Sequence, residues 1–172
     1  MKTRTAFSLF AASLAAAVLT TSCYNLGGVR PQAMVGKNTF AVDVFANHTI
    51  QPGLNVSATA AVCDLLQRDG TYTIAPRSKA DFVVSGQVQS ISRSSLRTNP
   101  YDSYLSSEVE LTVRMSYKVT DSKTGKVLKS GTAVGKGSNL STTGNVQGAV
   151  DNALDSAVTR AAEELVLSLT ME

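Results

Sequence analysis

Glu108-Val109-Glu110-Leu111-Thr112-Val113-Arg114-Met115-Ser116-Tyr117-Lys118-Val119 decides the architecture of this chain. Polar and apolar side chains alternate without a break along the whole stretch. A period of two belongs to an extended strand, whose successive side chains leave opposite faces. The apolar face belongs in a core and the polar face in water. A sheet built on such a strand takes its covering helices on one face only.

Working outward, Asp121-Ser122-Lys123-Thr124-Gly125 reads as a tight turn. Residues 126–136 then return as an antiparallel partner. Upstream, FVVSGQVQSISR (82–93) predicts another strand, TFAVDVF (39–45) the first of all, and 71–75 a short second one. Two stretches carry helical spacing instead. Over 54–68, Leu54, Ala58, Ala61, Val62 and Leu65 recur at three and four residues, and Asp69-Gly70 supplies the stop. Over 146–169, Val146, Val150, Ala153, Ala157, Val158, Ala161, Leu165 and Leu169 form one stripe. Thr143 or Asn145 stands where its cap belongs. The order β-α-β-β-β-β-α predicts an α+β two-layer sandwich, with two helices packed on one face of a mostly antiparallel sheet. Residues 38–172 read as a single domain.

The N-terminus has a different character. Lys2 and Arg4 precede the apolar run AFSLFAASLAAAVL, which falls short of the ~20 residues that cross a bilayer. Thr20-Thr21-Ser22 and Cys23 follow, the layout of a bacterial lipobox, with Thr20 where a branched aliphatic residue is usual. That resemblance implies a signal peptide over 1–22 and cleavage between Ser22 and Cys23. It also implies diacylglycerol and an acyl chain such as palmitate on Cys23. No other cofactor is expected. Several acyl chains anchor a protein stably where one does not. Tyr24, not Asp, follows the cysteine, which by the sorting rule of enteric bacteria implies the outer membrane on its periplasmic side. The competing reading is ordinary cleavage near Ala15–Ala17, which leaves Cys23 a free thiol in a tail. YNLGGVRPQAMVGK, with its paired glycines and Pro31, reads as a tether, so that 23–37 form the lipidated N-terminus.

Composition excludes several function classes. The net charge of +3 falls to near neutrality once Lys2 and Arg4 leave with the signal peptide, so the basic face that nucleic acid requires is not supplied. Only Cys23 and Cys63 are present. With Cys23 acylated, Cys63 has no partner, and it reads as a small buried apolar residue. His48 is the sole histidine and has no second ligand at metal spacing. Gly131-Thr132-Ala133-Val134-Gly135-Lys136-Gly137 superficially resembles a phosphate loop, but the spacing is one residue short and no Ser or Thr follows the lysine. Lys123-Thr124-Gly125 is better explained by a turn than by catalysis, and Glu108 and Glu110 by a solvated face. No nucleophile–base pair is visible, so neither an enzyme nor a metal site is expected. The connection 94–107 is long and mixes Leu96 and Arg97 with Tyr101, Tyr104 and Leu105. A partner surface and a plain long loop both fit it.

A family resemblance rests on several of these segments. Val42-Asp43-Val44-Phe45-Ala46-Asn47-His48-Thr49 leads to Gly53-Leu54 at a helix start. Leu65 to Gly70, Tyr72-Thr73-Ile74, Ala80-Asp81 before a strand reaching Gly86, the Thr124-Gly125 turn and a long C-terminal helix follow in order. The pattern resembles the lipopolysaccharide-assembly lipoproteins (LptE), with Cys23-Tyr24 where the family often has Cys-Gly-Tyr. The resemblance implies a plug subunit inside a large outer-membrane β-barrel, LptD, assisting barrel assembly and lipopolysaccharide insertion in the outer leaflet. An anionic lipid A head group calls for cations at a rim. Arg93, Arg97 and Lys136 are the candidates for lipopolysaccharide or partner contact, chosen by their position near strand ends. The alternative is a periplasm-facing lipoprotein that activates a peptidoglycan synthase or serves as a secretion accessory, since such proteins also place Asn-x-Thr after a first strand.

Overall fold

The computed structural model describes residues 31–97, 108–140 and 146–171. After a short turn at Gln32–Met34 come β1 (Thr39–Val42), β2 (Ala46–Asn47), α1 (Leu54–Asp69) and β3 (Thr73–Ile74). The long elements follow: β4 (Phe82–Arg97), β5 (Glu108–Asp121), β6 (Val127–Leu140) and α2 (Val146–Thr170). β5 keeps its alternation throughout, with Val109, Leu111, Val113, Met115, Tyr117 and Val119 all buried. Burying such side chains contributes about 1.5–3 kcal/mol each, before the entropy of ordering the chain is set against it.

The element order is the expected one and the sheet is mixed. Its strands lie in the order β3-β1-β4-β5-β6, with β2 also beside β4. β4, β5 and β6 form an antiparallel meander. β1 runs parallel to both β3 and β4, because α1 carries the chain back across the layer before β3 begins. The single strand expected over 39–45 is interrupted. Val42 faces Val84 and Ala46 faces Gln87, so one more residue is accommodated on this side than on β4. That one-residue excess is a bulge, and it turns Phe45 into the core while Val44 stays exposed.

Both helices pack on one face. Leu54, Ala58, Val62 and Leu66 of α1 join Ala153, Ala157, Ala161, Leu165 and Leu169 of α2 in one core with the meander. The closeness of α2 has a specific cause. Gly135 and Gly137 point at it from β6, and a Cβ on Gly135 would lie 1.9 Å from the Ala157 carbonyl oxygen. On Gly137 it would lie 2.1 Å from that of Ala153. Two of the three glycines that resembled a phosphate loop are therefore a seat for an alanine-faced helix, and the third, Gly131, faces the Tyr117 ring.

Side chains of α2 also cover the outer edge of β6. The Val134 N–H donates to Glu164 Oε2 at 2.6 Å, and Arg160 Nη1 donates to the Lys136 carbonyl at 2.9 Å. Capping exposed strand groups in this way blocks edge-to-edge pairing. The connection expected from residue 94 begins later, since β4 continues through Arg97, which pairs with Glu108. Tyr101, Tyr104, Leu105 and the candidate caps Thr143 and Asn145 lie outside the described residues, as do Ser22 and Cys23. Cys63 is half-buried and accepts a hydrogen bond from Gln67 Nε2, so it is less enclosed than expected.

Candidate interaction surface

The face of β4–β6 turned away from the helices carries the polar side chains of the alternating pattern. Across the three strands Ser85, Lys118 and Ser130 share a row, as do Gln87, Ser116 and Thr132, and Ser92, Thr112 and Lys136. The face is thus mostly hydroxyls and amides with scattered charges, and Val134 and Leu140 are apolar positions on β6. Arg114, Lys118 and Lys136 are exposed on it. Glu110 accepts from Ser94 Oγ at 3.2 Å and lies 3.8 Å from Lys136 Nζ.

Part of this face is covered. The segment 75–81 folds over β1 and β4, burying Ala41, Ala80 and Val83 in a second small cluster. Arg77 on this segment pairs with Asp43. Beside them is a cleft of about 350 Å³, lined also by Ser85, Lys118 and Thr120. The segment is held by Asp81. Its carboxylate accepts the N–H of Asn38, the hydroxyl of Thr39 and the N–H of Thr39, at 2.9 to 3.0 Å. The Asn38 N–H, then the two Thr39 donors, hold the Asp81 carboxyl below its ordinary range.

The two ends of the sheet differ. At one end are the starts of β1, β3, β4 and β6, the end of β5 and, by antiparallel packing, the C-terminus of α2. Asp121 ends β5 there and forms an ion pair with Lys37, while its Oδ1 accepts the N–H groups of Lys123 and Thr124. Lys37, then these turn donors, hold its carboxyl far below the usual carboxylate range. The Gln32–Met34 turn packs against β6, with Met34 in the core. Pro31, the first described residue, therefore lies toward this end.

The cations chosen from sequence belong to the opposite half. Arg93 faces Leu111, on the helix side of the sheet, and is exposed. Lys136 faces Thr112 on the open side. The two are one row apart in register and emerge on opposite faces. Arg97 ends β4; its side chain lies outside the described part of the structure. His48 is exposed in its loop, and among the described residues no group of three metal-ligating side chains occurs.

Sequence reasoning missed Asp81, Asp121, Lys37 and the Asp43–Arg77 pair as organisers of this surface. Their partners lie 34 to 84 residues apart in the chain, so no local pattern signals them. The Asn47-His48-Thr49 motif is a loop brace. Asn47 Oδ1 accepts from the N–H and the hydroxyl of Thr49, and Asn47 Nδ2 donates to the Gln51 carbonyl at 2.7 Å. The Phe45 N–H freed by the bulge donates to Thr59 Oγ1 on α1.

No curated protein matches this sequence. The solved structures that resemble it share the fold at low identity. Protein XCC0632 of Xanthomonas campestris is 18% identical with a TM-score of 0.55, over 83% of this chain and 90% of that one. PelC of Paraburkholderia phytofirmans, solved as a dodecamer, is 24% identical with a TM-score of 0.52, over 82% and 92%. A minor lipoprotein of Acinetobacter baumannii is 10% identical with a TM-score of 0.51, over 78% and 93%. The model of the lipopolysaccharide-assembly family, LptE, matches residues 38–169, from the start of β1 to the last turn of α2, and the chain belongs to that family.

Proposed function

We propose that this protein is a lipoprotein anchored through acylated Cys23 on the periplasmic side of the outer membrane. There it plugs a large LptD-like barrel, assists its assembly and helps pass lipopolysaccharide to the outer leaflet. The observation that carries this reading is the open face of the β4–β6 meander. Along β5 it is polar from end to end, and it is left uncovered over most of its area. A β5 of 14 residues is about 46 Å long, against an apolar band of ~25 Å around an outer-membrane barrel. Wide barrels have polar lumens, and a long polar sheet suits such surroundings where an apolar one does not. Among the described residues no helix is long and apolar enough to cross a membrane, which agrees with anchoring by lipid. Arg93, Arg97 and Lys136 stand in the half of the sheet away from Pro31. On this reading they face the lumen and take lipopolysaccharide phosphates or barrel carboxylates as charge-assisted partners.

The test is purification of the tagged full-length protein from detergent-solubilised outer membrane. A barrel subunit much larger than this chain is expected with it. Recovery of a penicillin-binding protein in its place would transfer the protein to the synthase-activator reading. Mass spectrometry of the mature N-terminus is expected to show a triacylated cysteine, and a bare thiol at Cys23 would defeat the anchor.

A further inference from the structure

We infer that the end of the domain toward which Pro31 lies is itself a lipid-contacting surface. Lys79, Lys123 and Lys126 there face anionic phospholipid headgroups, and Val35, Val127 and Met171 sit at the headgroup boundary. The inference rests on the anchor at Cys23. It goes beyond it by assigning the folded domain, and not the acyl chains alone, a fixed orientation on the bilayer.

Three observations converge on this end. The first is apolar exposure. Val35 is 68% exposed, Met171 54%, Leu167 48%, Ile74 47% and Val127 45%. These belong to the entry turn, the last turn of α2, the start of β6 and the edge strand β3, elements remote in sequence that come to this end of the sheet, with β3 and β6 on its opposite edges.

The second is charge. Lys123 and Lys126 project from the β5–β6 turn and Lys79 from the segment before β4, all exposed. None of the three forms an ion pair among the described residues. The nearby acids are already engaged, Asp121 by Lys37 and the turn, and Asp81 by Asn38 and Thr39, with Lys123 attracting Asp81 only at longer range than an ion pair. Both helices direct C-terminal, partially negative ends this way, which alone would disfavour an anionic surface. Lys129 Nζ donates to the Ser168 carbonyl in the last turn of α2 and offsets that end, whereas Arg68 in the last turn of α1 is paired with Asp64.

The third is reach. From Cys23 to Pro31 there are eight residues, at most about 29 Å of extended chain. The far end of the meander is about 46 Å away. An acylated Cys23 therefore keeps this end within reach of the periplasmic leaflet, and it does so equally when the opposite half stands in a barrel lumen. Amphipathic lysines with apolar stems beside small apolar side chains are the chemistry of an interfacial contact.

The experiment uses the full mature lipoprotein carrying Cys63→Ala and one reporter cysteine, at Val127 or at Ile50, which is fully exposed beside the middle of β4 and away from this end. A polarity-sensitive fluorophore is attached and the protein is anchored in phosphatidylcholine vesicles, with and without phosphatidylglycerol. Quenching by nitroxide-labelled lipid is then read. Position 127 is expected to be quenched several-fold more than position 50, and more strongly with phosphatidylglycerol. Lys123→Gln and Lys126→Gln should each weaken that contact about fivefold, the usual effect of one lysine near an anionic surface. A chain that floats with the vesicles while position 127 is quenched no more than position 50 overturns the inference alone. Quenching indifferent to both lysines overturns the charge assignment. A chain that does not float overturns the anchor, and the inference with it.

Discussion

Asp81 shows how much a single carboxylate can organise. It ties the 75–81 segment to the start of β1 through three donors on Asn38 and Thr39, while its own N–H donates to Thr39 Oγ1 at 3.0 Å. Because these donors favour the charged form, the folded-state pKa lies below the unfolded value near ~3.9. The stabilisation is therefore complete above that value and is lost as the pH falls through the lowered folded pKa. Asp81→Asn is expected to cost about 1 kcal/mol at neutral pH, a figure held down by the site's partial exposure. As the pH falls below ~4 the variant and parent should begin to converge, and they should meet below the lowered folded pKa, which urea unfolding across an acid series will check. A difference that persists undiminished into strong acid would mean that Asp81 acts by packing. Thr59 makes a second such link, accepting the Phe45 N–H and donating to the Asn55 carbonyl at 2.6 Å. Thr59→Val keeps the shape and strands the Phe45 N–H, and should cost about 1–3 kcal/mol in the same assay.

Between elements, the contact that matters most is α2 on β6. Any Cβ at Gly135 meets the helix backbone at Ala157 and Ala161, not a side chain that can swing aside. Gly135→Ala should therefore cost about 3 kcal/mol, the upper end for overpacking, and lower the midpoint of thermal unfolding by several degrees. Ser138→Ala, on an exposed open-face position of the same strand, should stay within about 0.5 kcal/mol. This contact also marks where the sequence was legible and where it was not. β5, both helices and the β5–β6 turn follow from periodicity and Gly placement, because those signals are local. The glycines of β6 carried no such message, since a missing side chain does not reveal what fills its place. The bulge after β1 was hidden for a related reason: Thr39 to Phe45 is β-prone throughout, and only the register against β4 shows which residue is extra. The parallel pairing of β1 is likewise a consequence of where α1 returns the chain, which residue types do not encode.

At the scale of the whole molecule, the interaction surface was legible in kind and not in arrangement. The alternation of β5 announced a polar face, and Arg93, Arg97 and Lys136 were visible as cations near strand ends. That Arg93 and Lys136 emerge on opposite faces follows only from the pairing of Arg93 with Leu111 and of Lys136 with Thr112. The split has a consequence for function. A ligand lying flat on the open face meets Lys136 and not Arg93, whereas a ring of partner groups around this half of the sheet, as in a barrel lumen, meets both. Charge reversal therefore separates the two arrangements. Arg93→Glu and Lys136→Glu each alter an exposed side chain, so thermal unfolding should move by no more than a degree or two. In the barrel-plug arrangement both should weaken recovery of the barrel subunit, the double variant more than either alone, and the loss should shrink as salt is raised. If only Lys136→Glu weakens recovery, the partner covers the open face alone and the sheet is docked on a surface, not enclosed.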